Sequence, residues 1–382
     1  MDRKLVFARA VALCAIFCIP QARAFCAVAT AGETARFLAG RGAAPGSPLS
    51  AHAHAPFYTR YAGQIARGWA RYQQPNMARL LAWWQHYRPA AYTTVLYPFG
   101  GPDLHNALVL FPDADSYLLF GLEPPGSIPD PAALDRGRMA AGLAGLQASL
   151  DTFIQMNFFF TREMERRLDP DSCNSVTGLL LFFLAMNGCE VLRAARISVG
   201  PGGILGPGQA GDKQFDWRNP PRGRVPGIEI VFRRPGGKRQ VVRYFMLDVA
   251  DAALTRHSPN FIAFLERTGR WVTLLKAASY LMHKDAAREP APHFDRIRSL
   301  ILARSDSIIQ DDSGIPLRFF QRGSWRLQFH GKYSVPVAEF AHRLQQDLWT
   351  EMRNNSTGTL PFRFGYDNRP GAANLMTALR VK

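Results

Sequence analysis

Thr93-Thr94-Val95-Leu96-Tyr97-Pro98-Phe99-Gly100-Gly101-Pro102-Asp103 and, after the helical run Leu104 to Phe111, Ser116-Tyr117-Leu118-Leu119-Phe120-Gly121-Leu122-Glu123 form the stretch that decides how the chain folds. Thr93 to Tyr97 is rich in β-formers, and Pro98 to Asp103 carries the residues of a turn. Leu104 to Phe111 has helical spacing, and Ser116 to Leu122 is a second apolar strand closed by Glu123. The order is strand, loop, helix, strand. In such a unit, glycines let the backbone approach a ligand at the helix N-terminus, and an acidic residue about twenty positions on accepts from ribose hydroxyls. Glu123 follows Gly101 by 22 residues. Tyr97, Gly100, Gly101, Asp103 and Glu123 are therefore the first candidate ligand-binding residues.

Residues 93–123 resemble the first βαβ unit of class I S-adenosylmethionine-dependent methyltransferases, where a glycine-rich loop and an acidic residue ending the second strand hold the cofactor. The family's loop reads acidic-x-Gly-x-Gly. Here Gly100 and Gly101 are adjacent, Pro102 follows, and Tyr97 stands where the acidic residue would be. The resemblance implies an α/β, Rossmann-like (methyltransferase-like) sheet with helices on both faces and a degenerate pocket. The cofactor itself stays unassigned.

N-terminal to this unit, the apolar and aromatic residues of Phe57 to Tyr87 recur at helical spacing, with Pro75 dividing two helices, and residues 57–90 read as a helical cap. Residues 25–56 are rich in Ala, Gly and Pro and read as a linker. At the start of the chain, Arg3 and Lys4 precede the apolar run Ala10 to Ile19, and Pro20 stands before Ala22-Arg23-Ala24. That is the pattern of a secretory signal peptide, residues 1–24, cleaved after Ala24 or after Ala29. Ten apolar residues cover only ~15 Å, too short to span a bilayer. An exported protein, periplasmic or extracellular and with no transmembrane segment after cleavage, is expected.

The whole chain has 382 residues, 47% of them hydrophobic, enough for a full-sized core. Removing Arg3, Lys4, Arg9 and Arg23 together with Asp2 lowers its formal charge from +16 to +13. Such a field draws anionic envelope polymers as partners. The densest basic cluster, Arg233 to Arg239, sits at a hairpin tip.

C-terminal to the unit, residues 131–168 read as a long or bent helical region, Ser175 to Met186 as a buried helix, and Cys189 to Val199 as a strand. Residues 200–227 hold eight glycines and five prolines and read as a mobile loop or lid. Ile228 to Phe232 and Gln240 to Leu247 form an inserted hairpin through Pro235-Gly236-Gly237. The second strand ends at Asp248, which joins the candidates because carboxylates at strand ends face clefts in α/β sheets. Residues 91–382 are thus expected as one domain. Cys173 and Cys189 flank the buried helix and should not pair, and no metal-ligand spacing exists.

Candidate catalytic residues come from two further stretches. Trp271 to Lys284 reads as a helix presenting Lys276, Tyr280 and His283 on one face. Ser307 to Gly314 reads as a strand entering a turn at Asp311-Asp312. An envelope hydrolase using Asp311 or Asp312 with His283 is the enzymatic expectation, and the absence of Gly-x-Ser-x-Gly disfavours a serine mechanism. Polyanion binding is a further alternative. The stretches at 97–103, 278–283 and 310–316 together resemble a family of uncharacterised exported bacterial proteins, which suggests that they belong to one architecture and meet near the strand ends. The resemblance brings no activity with it. The main expectation is a protein binding a small polar ligand at the Gly100-Gly101 loop.

Overall fold

The computed structural model describes residues 29–89, 92–208, 223–287, 289–334, 336, 338–367 and 369–381. The expected leader, Cys26 and half of the expected lid, residues 209–222, lie outside the described residues; of the described half, Leu205–Pro207 and the residues from Val225 onward are strand and not loop.

The strands are β1 (Thr94–Pro98), β2 (Ser116–Gly121), β3 (Glu190–Val199), β4 (Leu205–Pro207), β5 (Val225–Arg233), β6 (Arg239–Met246), β7 (Trp271–Leu275), β8 (Ser305–Gln310), β9 (Trp325–Gly331) and β10 (Asn374–Arg380). They form one sheet in the order β4-β3-β5-β6-β2-β1-β7-β8-β10-β9. Its centre, β6-β2-β1-β7-β8, is parallel throughout. By chain order of these five, the sequence is third, second, first, fourth, fifth, a doubly wound sheet whose direction reverses between β1 and β7. Antiparallel strands extend both edges.

Alternation along the strands divides the interior into two cores. Val95, Tyr97, Tyr117 and Leu119 face one cluster, while Leu96, Leu118 and Phe120 face the other. The first core takes the helices Arg136–Met156 and Val176–Met186 and the N-terminal pair Pro56–Tyr72 and Ala78–Tyr87. The second takes Pro259–Arg267, Asp295–Arg304 and Gln346–Asn355. Helices therefore cover both faces, and the aromatic N-terminal helices form part of the first layer.

Several elements differ from the sequence reading. Within the expected linker, Ala31–Leu38 is a helix closed by a Thr30–Glu33 capping box, and it buries Phe37 and Leu38. Trp271–Leu275 is a central strand, followed by a loop and a short turn of helix at Leu281–His283. An entirely buried strand lacks alternation, so its apolar run reads equally well as buried helix. Lys276, Tyr280 and His283 therefore do not share a helical face. The last strand is Asn374–Arg380, and Pro361 to Tyr366 before it is irregular. The hairpin forms as expected, and β6 serves also as the third parallel strand. Cys173 and Cys189 are both free and buried.

Candidate functional site

The loop after β1 is shaped by close approach. A Cβ on Gly100 would lie 2.6 Å from the Tyr97 ring, so only glycine fits there. Phe99 and Gly101 both take positive φ, 64° and 54°, which turns the chain sharply into the helix Leu104–Leu110. Asp103 caps that helix, accepting from the Asn106 backbone N–H at 3.2 Å and from its side-chain amide at 2.9 Å. Its Oδ2 also accepts from the Tyr97 hydroxyl at 2.8 Å and from Lys276 Nζ at 2.8 Å. Lys276 donates further to the carbonyl of Asn157, which ends the helix Arg136–Met156 in a left-handed turn. Tyr97 and Asp103 therefore lie beneath the loop as parts of a closed polar hub. Sequence reasoning placed both in the ligand set, and neither lines the cavity above them.

That cavity, of about 230 Å³, sits at the carboxyl ends of β1, β2 and β6. Gly100, Gly101, Glu123 and Asp248 all line it, with Phe99, Phe294 and other apolar side chains making up most of the rest. Four of the six expected ligand-binding residues thus converge on one concave surface. Glu123 is almost fully buried, and burial raises its pKa above the ordinary carboxylate value. Tyr244 donates from its hydroxyl to the Glu123 carbonyl at 2.9 Å and stands 3.3 Å from the carboxylate Oε2. Gly121 leaves the room: a Cβ there would lie 2.7 Å from Oε2 and 2.9 Å from the Tyr244 oxygen. Asp248 is exposed, with Oδ1 accepting from the Ala250 N–H at 2.8 Å.

The loop after β7 forms the other bank of the crevice and contributes Ser279 and Leu281 to the cavity. Ala277, Ser279 and Tyr280 all have positive φ, between 50° and 54°, a conformation that costs non-glycine residues of order 1 kcal/mol each. Three successive backbone N–H groups are tied down. Asp311 Oδ2 accepts from Ala277 at 3.0 Å, Ser313 Oγ from Ala278 at 2.7 Å, and the Tyr366 hydroxyl from Ser279 at 3.0 Å. Asp311 also accepts from the Tyr366 backbone N–H at 3.2 Å and from Ser313. Its oxygens are fully committed to holding the loop.

Asp312 is fixed in the same way, by the Tyr280 hydroxyl and by the Asn374 amide at 3.1 Å. Burial and the charge of Asp311 push its pKa up to about 7. His283 meets neither carboxylate in a hydrogen bond. Its Nε2 lies 3.2 Å from the Asp312 backbone carbonyl, and burial lowers its pKa to about 3, so the ring is neutral. The three groups expected to form a hydrolytic set do come close together, but as a brace for the β7 loop. The stretches 278–283 and 310–316 are linked directly through Ala278–Ser313 and Tyr280–Asp312, and 97–103 is joined through Asp103 to Lys276, two residues before Ala278.

Sequence reasoning missed Lys276 as the partner of Asp103, because it set that lysine on a helix. It also missed Phe99, Ser279 and Leu281, whose only signal was adjacency to strand ends. Among the described residues, no group of three or more His, Cys, Asp or Glu side chains is arranged to hold a metal ion, and no helix is long and apolar enough to cross a membrane. No protein-family model matches the chain, and no curated protein is significantly similar to it in sequence.

Proposed function

We propose that this is an exported protein that binds a small polar ligand of nucleoside type in a methyltransferase-like, degenerate pocket. The observation that carries the reading is the convergence of Gly100, Gly101, Glu123 and Asp248 on one cavity beside the switch point of a doubly wound sheet. Apolar and aromatic walls suit a flat ring, and two carboxylates suit hydroxyl or amino donors.

Two features narrow the ligand. Among the described residues, the cavity lining holds no Lys or Arg. The N-terminus of the helix Leu104–Leu110, where a pyrophosphate sits in dinucleotide folds, is already capped by the Asp103 carboxylate. A phosphate next to the loop would find that helix N-terminus already occupied and, among the described residues, no basic side chain lining the cavity beside it. The same lack of a basic group leaves nothing among the described lining residues of the cavity to neutralise the amino-acid carboxylate of S-adenosylmethionine. The residues fit the nucleoside half of that cofactor and not the whole, and methyl transfer is not part of the reading.

Saturation-transfer NMR with adenosine tests it. Adenosine should receive saturation from the wild-type protein and lose it in Thr161→Trp, where a bulky ring replaces a small side chain on the cavity wall. No transfer to adenosine, or equal transfer in both proteins, overturns the reading.

A further inference from the structure

The ligand cavity continues into a second, more open groove of about 480 Å³. The two share Leu122, Leu247, Asp248, Ala250 and Pro292, so Asp248 stands on the seam. Their charges differ in sign. Among the described residues, the cavity's ionisable groups are Glu123 and Asp248, whereas the far wall of the groove carries Arg224, Arg256 and His257.

Arg256 and His257, at the end of the helix Asp251–Arg256, are exposed, and neither side chain makes an ion pair or hydrogen bond among the described residues. Arg224 leans on the Ser198 hydroxyl at 3.2 Å and pairs with no carboxylate among them. Ser258 adds an independent observation. It lines the groove, is only 6% exposed, and its hydroxyl has no hydrogen-bond partner among the described residues. It stands at the N-cap of the helix Pro259–Arg267 without making the capping bond expected of serine there. A largely buried serine whose hydroxyl has no protein partner among the described residues lines the same recess as three basic side chains and a helix N-terminus, which together favour negative charge.

We infer that this groove is an anion subsite, built by Ser258, Arg224, Arg256 and His257 for a phosphate or carboxylate group. The inference rests on the reading of the adjoining cavity as a ligand site and deepens it. A ligand filling both is dipolar: hydroxyl or amino donors meet Glu123 and Asp248, and the anionic group lies beyond Asp248, away from the Gly100-Gly101 loop. That also accounts for how a chain of formal charge +16 presents a cavity whose ionisable lining, among the described residues, is two carboxylates. The acidic cavity orients the ligand while the basic groove attracts it.

The test is calorimetric titration of inorganic phosphate into the full-length mature protein in 0.15 M NaCl, where long-range attraction to the general surface charge is screened. Wild type should bind phosphate, and Arg256→Gln/His257→Gln, changed only at exposed positions, should bind it at least tenfold more weakly with an unchanged melting temperature. Thr161→Trp, which blocks the cavity, should bind phosphate as wild type does. No phosphate binding by wild type, or equal binding by the double variant, overturns the subsite. Phosphate binding that depends on Arg256 and His257, with adenosine binding absent, upholds the subsite and instead overturns the nucleoside reading. Adenosine binding without phosphate binding does the reverse.

Discussion

Lys276 Nζ lies 2.8 Å from Asp103 Oδ2, and both side chains are sealed from solvent, at 0% and 1% exposure. The pair joins the β1 loop to the β7 loop across the switch point of the sheet. Removing one charge leaves the other buried and uncompensated, which is more costly than the pair itself is stabilising. Lys276→Met should therefore lower the unfolding free energy by about 3–5 kcal/mol. Lys276→Met/Asp103→Leu should recover part of that loss. Urea denaturation of the three proteins checks it, and a single variant as stable as wild type would remove the pair from the framework.

Asp312 gives the fold a pH signature. Its pKa is raised from 3.8 to about 7 by burial and by Asp311, so between those values the native state holds a proton that the unfolded chain has released. This contribution is fully present below the unfolded value and is lost as the pH rises through the folded one. Three buried histidines act in the opposite sense. His105 and His283 are lowered to about 3 and His330 to about 4, so they remove stability as the pH falls below 6.5. Asp312→Asn keeps the shape of the protonated acid and leaves the histidines in place. Its stability relative to wild type should improve between pH 4 and pH 8, measured by denaturant midpoints at each pH, and a constant difference would contradict the assignment.

Backbone strain after β7 can be relieved residue by residue. Ala277 has φ 50°, and glycine occupies that region without the Cβ penalty. Ala277→Gly should stabilise the protein by roughly 1 kcal/mol. Gly365→Ala should act the other way, because its φ is 64° and its Cβ would fall 1.9 Å from Asp311 Oδ2. A loss of about 1–3 kcal/mol is expected. Thermal melts of both variants read the two signs.

Gly121 protects the position of Glu123 rather than the stability of β2. A methyl group there would stand 2.7 Å from Oε2 and 3.3 Å from the Gly101 Cα, displacing the carboxylate within the cavity. Gly121→Ala should weaken adenosine binding by about tenfold or more, ~1.4 kcal/mol. Wild-type affinity in this variant would mean that the carboxylate does not contact the ligand.

The strand-loop-helix-strand unit at residues 93–123 was legible because each element carried its own local signal: β-branched residues, a Gly-Pro turn, a helical apolar period and a closing carboxylate. Glu123 and Asp248 were found for the same reason, since each ends an apolar run. β7 was not legible. All five of its residues are buried, so Trp271 to Leu275 has no polar face to mark its period. That single misreading carried Lys276, Tyr280 and His283 onto a helix and hid the Asp103–Lys276 pair. Asp311 and Asp312 were correctly seen at a strand end, but their role depends on Ala277 and Tyr280, residues more than thirty positions away whose left-handed backbone no local pattern announces. The groove went unread because its walls come from β5, β6 and the helix Asp251–Arg256, elements without a shared motif.

Glu123 and the glycine loop are proposed as a ligand site at the carboxyl end of β2. Calorimetric titration of adenosine into wild type and into Glu123→Gln, both at pH 7.5, tests it most directly. Wild type should show saturable one-to-one binding and the variant about a tenfold loss or more, because its amide keeps the shape but not the acceptor strength of the carboxylate. No binding by wild type at millimolar adenosine, or the same affinity in both proteins, would contradict it.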